Sequence, residues 1–387
     1  MISGPSQGHE ACEYFNETHR LIRETVRRFV QKEITPFVEE WEERGGFPRE
    51  LYRKAGSIGI LSINYPEEYG GSGPDLFGKV AQIEELMESG SGGVVAGLGS
   101  LDIALPPILA LGTEEQKRSF IPEVLRGERI AALAISEPDA GSDVANIKTR
   151  AVKRGDHYVV NGSKAFITSG CRADQITAAV RTGGEGHRGI SLLVIESGSQ
   201  GYSVSNPLKK MGWWASDTCL IYFENCMVPL GNLLGREGDG FYGIMKNFQM
   251  ERLHLSVMAY STARLALRES VRYAKERSAF GGHLSDIQVI RHKIADMATL
   301  VEAATEFTYR VAKKMEGGLD RTKEVSMAKN FSSHVAERVT YEAVQIHGGY
   351  GYMRGYLVER LYRDARVLSI GGGTKEIMKE IIARHIL

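Results

Sequence analysis

The periodicity of the apolar residues changes twice along this chain of 387 residues. Residues 16–130 show the spacing of amphipathic helices. Residues 131–236 instead contain short β-branched or aromatic runs, separated by Gly, Ser and Asn. Helical spacing returns at residue 237 and continues to the end. The order predicts a mixed α and β fold: an N-terminal α-helical domain (1–130), a central β-barrel-like domain (131–236) and a C-terminal four-helix bundle domain (237–387).

Three local signals predict element boundaries. Pro36 follows a helical stretch and predicts its end. Residues 113–116 read Thr-Glu-Glu-Gln, which is the pattern of a capping box that begins a helix. The Asn161-Gly162 pair is the strongest short hairpin signal in the β region.

The charge and cysteine content exclude several classes of protein. Lys plus Arg and Asp plus Glu both number 48, so the basic excess typical of nucleic-acid binders is missing. The four cysteines lack the spacing of a zinc site or of a disulfide framework, so we expect no metal and a reducing compartment. The N-terminus shows no secretory or transit pattern, and the most apolar stretch, residues 101–111, is too short to span a bilayer. These features favour the cytoplasm of a prokaryote, with no integral membrane segment.

Three glycine-containing segments are candidates for chemistry. A G-x-G-x-x-G turn near the start is missing, which disfavours a Rossmann dehydrogenase. Residues 134–146 (AISEPDAGSDVAN) form a polar loop that can approach a cofactor closely. Residues 345–352 (QIHGGYGY) end a helix, and residues 371–377 (GGGTKEI) open the last one. Taken singly, each is more typical of an ordinary turn or helix end than of a binding site.

Taken together, in this order and at these separations, the segments closely resemble the acyl-CoA dehydrogenase family, with its long-chain and isovaleryl-type branch. The two long matches are AISEPDAGSD (134–143) and QIHGGYGYMRGYLVERLYRD (345–364). Shorter matches are Lys210-Met-Gly, the segment 276–281 and Gly373-Thr374. The resemblance covers essentially the whole chain.

The resemblance implies an FAD cofactor between the β-domain and the C-terminal bundle, in a homotetramer whose neighbouring subunit completes the site. The family pattern carries over to the following cofactor-binding positions: Leu133, Ile135, Ser136, Gly141, Ser142, Phe166, Ile167, Thr168, Arg277, Phe280, Gln288, Gln345, Gly348, Gly349, Thr374 and Glu376. The implied reaction is α,β-dehydrogenation of a fatty-acyl-CoA to the trans-2-enoyl-CoA. The β-hydride passes to flavin N5, and electrons then pass to an electron-transfer flavoprotein.

The resemblance also indicates the catalytic base. Most family members carry a glutamate just before the Gly-Thr pair of the last motif, where this chain has Gly372. The long-chain and isovaleryl branch instead carries it on the first long C-terminal helix, where this chain has Glu251. We therefore expect Glu251 to be the base, and the backbone N–H of Gly372 to donate to the thioester oxygen.

The substrate is expected to contact Ser142, Gln249, Met250, Arg252 and Gly373. The glycines at residues 371–373 leave volume beside the α-carbon, which favours medium, long or branched acyl chains.

Departures from the usual family residues leave two alternatives open. Phe166 stands where tryptophan is common, Trp214 where a basic residue is common, and Ser136 where threonine is frequent. The alternatives are an oxygen-using oxidase or monooxygenase on the same scaffold, and a catalytically silent acyl-CoA binder suggested by Gly372.

Overall fold

The N-terminal region consists of short α-helices. The computed structural model describes residues 14–318 and 320–387, except for the side chain of Lys246. The helices of this region are α1 Glu17–Phe29, α2 Val38–Arg44, α3 Glu50–Ser57, α4 Leu76–Met87, α5 Gly92–Leu98, α6 Leu101–Ala104, α7 Pro106–Leu111, α8 Glu114–Phe120 and α9 Pro122–Leu125.

Two of the predicted boundaries lie in this region. The capping box is confirmed, because Gln116 N donates to Thr113 Oγ1 at 3.3 Å and Thr113 N donates to Gln116 Oε1 at 2.8 Å, at the start of α8. The stop predicted at Pro36 is confirmed as a break, since α1 and its π-turn end at Ile34, which has φ −120°, but a new helical segment starts at once with the 3₁₀-turn Thr35–Phe37 and leads into α2. Proline is tolerated there because it sits in the first turn of a new helical segment, where its missing N–H is not needed.

The apolar segment α5 to α7 is mostly buried inside the protein. Among the described residues, no single helix has the length and apolar character of a membrane span. One bent pair, Gly92–Leu98 with Leu101–Leu111, meets that test by length and composition, with a 47° angle between its two parts.

The central region is an eight-stranded sheet. Its order is β6-β7-β3-β2-β4-β5-β8, and β1 pairs in parallel with β4. Most other pairings are antiparallel, and the inward side chains of the strands form a separate hydrophobic cluster. The strands are β1 Ala131–Ala134, β2 Arg150–Arg154, β3 His157–Thr168, β4 Gln175–Arg181, β5 Ile190–Glu196, β6 Tyr202–Val204, β7 Thr218–Pro229 and β8 Leu233–Leu234.

The hairpin predicted at Asn161-Gly162 is wrong. This pair lies inside β3, and the register against β7 shifts between Val160 and Gly162, which is a β-bulge. The true turn joins β2 to β3 between Arg154 and His157. Gly162 has φ +141°, and a Cβ there would lie 2.7 Å from the Cα of Thr149. Glycine is required for this close backbone approach rather than for a turn.

We expect Gly162→Ala to lower the free energy of unfolding by about 1–3 kcal/mol, because the new methyl group meets backbone atoms and the backbone conformation becomes strained. Urea denaturation of the purified protein measures the change. Gly184→Ala is the control, since a Cβ at Gly184 meets no atom within 4 Å. An unchanged unfolding midpoint for Gly162→Ala would contradict this account of the bulge.

The C-terminal region is built around one long helix. This helix, α10 (Gly240–Glu276), has 37 residues and is therefore about 55 Å long. It packs against other C-terminal helices and also against α4, α6, α7 and β5, so it connects all three regions. The other elements are the strands β9 Ser278–Ala279 and β10 Gly282–His283, then α11 Gln288–Glu316, α12 Thr322–His347, α13 Gly349–Tyr352, α14 Leu357–Leu368 and α15 Lys375–Arg384. The predicted helical, β and helical order is confirmed.

A buried carboxylate joins the N-terminal and C-terminal helices. Glu84 on α4 accepts hydrogen bonds from the hydroxyls of Tyr260 at 2.9 Å and Tyr309 at 2.5 Å. Arg264 donates to it at 3.2 Å, and Arg23 of α1 also pairs with it. Burial opposes ionisation, but the charges of Arg264 and Arg23 lower the pKa of Glu84 to about 2. The network fixes α4 against α10, the helix that carries the predicted base.

Candidate active site

The predicted base lies beside the glycine loop that precedes α15. An ideal Cβ on Gly372 would lie 3.4 Å from Glu251 Oε1 and 2.5 Å from Leu255 Cδ1. Gly372 has φ +63°, a left-handed conformation that favours glycine. Arg252 Nε donates to the carbonyl oxygen of Gly372 at 3.4 Å, which holds the loop against α10. Glu251 and Gly372, 121 positions apart in the sequence, are therefore neighbours in the fold.

The surroundings of Glu251 favour a carboxyl group that changes its protonation state near neutral pH. Burial raises the pKa of Glu251 to about 7, although the charges of Arg252 and Lys329 act to lower it. The side chain is half-buried, and its Oε2 has no hydrogen-bond partner among the described protein atoms. A carboxylate without hydrogen bonds to stabilise its charge is a stronger base than an exposed glutamate.

A buried lysine that was not predicted from the sequence supports the same loop. Lys329 of α12 is fully buried, and its Nζ donates to the carbonyl oxygen of Gly373 at 2.5 Å. Burial lowers the pKa of Lys329 to about 8, against the raising effect of Glu251.

A second buried ion pair organises the loop after β1. Glu137 accepts from Lys148 N at 2.6 Å and Thr149 N at 2.9 Å. Lys164 of β3 is fully buried; its Nζ donates to Glu137 Oε1 at 2.8 Å and to the carbonyl oxygen of Ile135 at 3.0 Å. Sequence reasoning missed this pair, because its members are charged residues within segments that otherwise read as a turn and a strand.

The predicted flavin-contacting residues of the β region converge around this loop. Ala165 N donates to the carbonyl oxygen of Ser136 at 2.8 Å, which joins the β1 loop to the end of β3. Phe166 is 67% exposed and has φ +60°. The remaining members of this group lie on β1, on its loop and at the end of β3: Leu133, Ile135, Gly141, Ser142, Ile167 and Thr168.

A second group of predicted cofactor residues lies far from the base in the same chain. Arg277 follows α10 directly, so it is 26 residues, or about 39 Å, from Glu251 along the helix. The Arg277 guanidinium lies 5.6 Å from the ring centroid of Tyr350, at the start of α13. Phe280 is 98% exposed. The other members are also exposed, at the start of α11 and the end of α12: Gln288, Gln345, Gly348 and Gly349.

The remaining predicted residues flank the base. Thr374 is the N-cap of α15 and accepts from Ile377 N at 3.3 Å, while Glu376 is exposed in the first turn. Gln249 Nε2 donates to Asp320 Oδ1 at 3.0 Å, so its side chain is turned toward the loop before α12. Met250 is half-buried next to Glu251.

The residues around Phe166 have the properties of a flavin site. The exposed Phe166 ring offers an apolar surface for the isoalloxazine, and Gly141 leaves open space for a phosphate beside backbone N–H groups. Gly348 and Gly349 likewise leave open space at the end of α12. Among the described residues, no group of three or more His, Cys, Asp or Glu side chains is arranged to hold a metal ion.

Comparison with known proteins identifies the family. Models of the acyl-CoA dehydrogenase N-terminal, middle and C-terminal domains match residues 16–128, 132–226 and 238–387. A probable acyl-CoA dehydrogenase structure from Mycobacterium abscessus is 48% identical with a TM-score of 0.95, over 97% of this chain and all of that one.

Two further relatives extend the comparison. The mitochondrial long-chain specific acyl-CoA dehydrogenase of Rattus norvegicus is 40% identical over 96% of this chain and 87% of its own. An acyl-CoA dehydrogenase structure from Bacillus anthracis in complex with FAD is 33% identical with a TM-score of 0.91, over 97% of this chain and 67% of that one. The fold, the motifs and these matches together show that the chain belongs to the acyl-CoA dehydrogenase family.

Proposed function

We propose that this protein oxidises the α,β bond of a fatty-acyl-CoA thioester to the trans-2-enoyl-CoA, with FAD as cofactor and Glu251 as base. The observation that carries the proposal is the half-buried carboxyl group of Glu251, with a pKa of about 7, against the backbone of Gly372. An acid with a pKa near working pH exchanges protons readily with a weakly acidic carbon.

The chemistry requires two functions from the chain. Glu251 takes the α-proton, and the backbone N–H of Gly372 donates to the thioester oxygen, where negative charge develops. One such donor contributes about 2.7–4 kcal/mol to the stability of a transition state. FAD, when bound, supplies the acceptor for the β-hydride. Arg252 and Lys329 bind the loop carbonyls of Gly372 and Gly373, which holds the loop against α10 and α12.

The predicted cofactor residues fall into two separate groups, which supports an FAD site shared between two subunits. Arg277 lies 26 residues, or about 39 Å, from Glu251 along α10, so the Arg277 group is remote from the base within one chain. We propose that a neighbouring subunit provides the Arg277 group, in a homotetramer, and that the three domains meet at residues 130 and 236. Ser142, Gln249, Met250, Arg252 and Gly373 form the proposed substrate contacts.

The volume predicted beside Gly372 and Gly373 is taken by Leu255 Cδ1 and Met378 Cε, which would lie 2.5 Å and 2.6 Å from added Cβ atoms. The acceptor and the acyl chain are therefore proposed from the family resemblance, and the compartment from the sequence composition. The electron acceptor is an electron-transfer flavoprotein, the acyl chain is medium, long or branched, and the protein works in a prokaryotic cytoplasm.

The test is turnover of the flavin-loaded enzyme with acyl-CoAs of increasing length and with isovaleryl-CoA. We expect trans-2-enoyl-CoA to form when an electron-transfer flavoprotein or a dye acceptor is present, and little product with oxygen alone. Stoichiometric hydrogen peroxide with oxygen as the acceptor would support the oxidase alternative. A turnover profile peaking sharply at butyryl-CoA would contradict the proposed chain preference.

The pH dependence of kcat/KM should report the ionisation of Glu251. The base must be unprotonated, so kcat/KM is expected to fall about tenfold per pH unit below the pKa of about 7 and to level off above it. Steady-state rates at low substrate concentration, measured at pH values on both sides of 7, show whether kcat/KM rises or falls with pH. A profile that falls with rising pH through neutrality would contradict the assignment.

A further inference from the structure

One face of α10 carries polar groups beyond the base. From Glu251 to residue 263, every side chain is buried except those of Glu251 and His254, which are half-buried. Residues three apart on a helix share a face, so these two partly exposed side chains lie on the same side of α10. His254 lies about 4.5 Å further along the helix axis than Glu251.

Several buried polar atoms near this face have no hydrogen-bond partner among the described protein atoms. They include His254 Nε2, Asn247 Oδ1 and Lys79 Nζ. Native proteins leave few such atoms, because each costs about 1–3 kcal/mol unless a ligand or water pairs with it. Asn247 Oδ1, Glu251 Oε2 and His254 Nε2 lie within about two turns of α10, so unpaired polar atoms occur next to the base, where a polar group of a ligand could pair with them.

A buried ion pair of the N-terminal helices lies near this part of α10. Lys79 of α4 and Asp102 of α6 form an ion pair, with 2.8 Å between Nζ and Oδ1, and Tyr65 donates to the same Oδ1 at 3.2 Å. The ion pair lacks hydrogen-bond geometry, so Lys79 Nζ has donors to spare. This pair packs against α10 near His254, because Asn247 donates to Ile103, next to Asp102, and Tyr260 donates to Glu84, on the same helix as Lys79. The charges of Asp102 and Lys79 also act on the pKa of His254.

Partly exposed residues of the N-terminal region lie opposite this face of α10. Ala96, Gly99 and Ile103 are half-buried, while most residues around them on α5 and α6 are buried. Asn247 Nδ2 donates to the carbonyl oxygen of Ile103 at 2.9 Å, which ties α10 to this segment. An acyl chain that extends from Glu251 between α10 and this segment would pass the cluster of His254, Lys79, Asp102 and Tyr65.

The charge of this cluster selects the kind of group it can bind. Burial lowers the pKa of His254 to about 4, so the imidazole is neutral at working pH. The Lys79 and Asp102 charges cancel. A carboxylate would enter a buried site with no net positive charge to balance it, whereas a hydroxyl or carbonyl needs only hydrogen bonds.

We propose that His254, with Lys79, binds an uncharged oxygen on the acyl chain, a hydroxyl or carbonyl a few carbons beyond the bond that is oxidised. This inference rests on the proposed function and makes its substrate more specific: an oxygenated fatty-acyl-CoA rather than a plain hydrocarbon chain. A site built to hydrogen-bond such an oxygen binds the plain chain less well, because its polar atoms then stay unpaired.

Binding to flavin-loaded Glu251→Gln protein tests the inference without turnover. Titration calorimetry compares octanoyl-CoA with hydroxyoctanoyl-CoAs that carry the hydroxyl at successive carbons beyond the β-carbon. We expect at least one hydroxylated chain to bind about tenfold more tightly than octanoyl-CoA. Adding His254→Leu should remove this preference, while His254→Gln should keep part of it. His334→Leu, an exposed histidine of α12, is the matched control.

Two results would overturn the inference. One is tighter binding of octanoyl-CoA than of every hydroxylated chain, and the other is a preference that His254→Leu leaves unchanged in protein with a normal circular dichroism spectrum. Failure of the dehydrogenase proposal looks different: the wild-type protein then turns over no acyl-CoA, whatever the order of affinities.

Discussion

Glu251→Gln is expected to lower kcat for acyl-CoA oxidation by roughly 10²- to 10⁴-fold, the usual contribution of a positioned general base. Glutamine has the size of glutamate but cannot accept the α-proton. Since the carboxyl group is half-buried and its Oε2 has no protein partner, the amide should fit without disturbing the fold. Acyl-CoA affinity and flavin content should therefore stay within about twofold of the wild type.

The measurement is steady-state turnover with a dye acceptor, together with binding of the enoyl-CoA product. Glu276→Gln is the matched control, because Glu276 is an exposed glutamate at the end of the same helix. Glu251→Asp should recover little activity, since the shorter side chain withdraws the carboxylate from the substrate carbon. A Glu251→Gln protein with near wild-type kcat would remove Glu251 from the mechanism.

Lys164→Met should produce the largest effect on stability and flavin binding. Removing one partner of a buried ion pair costs about 3–5 kcal/mol, because the other charge stays buried without compensation. Lys164 also donates to the carbonyl oxygen of Ile135, so the loop that leads to Ser136 loses two hydrogen bonds. We expect a lower unfolding midpoint and a markedly reduced ratio of flavin to protein after purification.

Two comparison variants separate these effects. Lys148→Met removes a lysine on the same loop whose ion pair with Asp139 is exposed, with 3.8 Å between Nζ and Oδ2, and should change stability by less than about 1 kcal/mol. Glu137→Leu combined with Lys164→Met should be more stable than Lys164→Met alone, since no unpaired charge remains. Full flavin occupancy in Lys164→Met would show that the pair does not organise the cofactor loop.

Local chemistry predicted much of the fold. The capping box at Thr113, the long apolar faces of the C-terminal helices and the β-branched strand runs are all signals within a few residues, and the structure contains each element. The hairpin prediction at Asn161-Gly162 was wrong because the same dipeptide suits a tight turn and a β-bulge. Only the position of Thr149 in the fold decides between the two.

The candidate site was harder to predict from the residues alone. Glu251 and Gly372 became candidates only through the family resemblance, because nothing in their sequence spacing indicates that they meet. Lys329 and the Lys164–Glu137 pair are contacts between distant segments, and buried lysines look like surface lysines in a sequence. His254 follows Leu253 within an apolar helix, and its role depends on Lys79 and Asp102 from other helices.

The most direct test of the central claim is an anaerobic titration of the flavin-loaded wild-type protein and of Glu251→Gln with a series of acyl-CoAs, while flavin absorbance is followed. We expect acyl-CoAs to bleach the flavin of the wild-type protein on mixing, and the variant to bind the same ligands without bleaching. An intact flavin in the wild-type protein with every acyl-CoA, or equal bleaching in both proteins, would contradict the central claim.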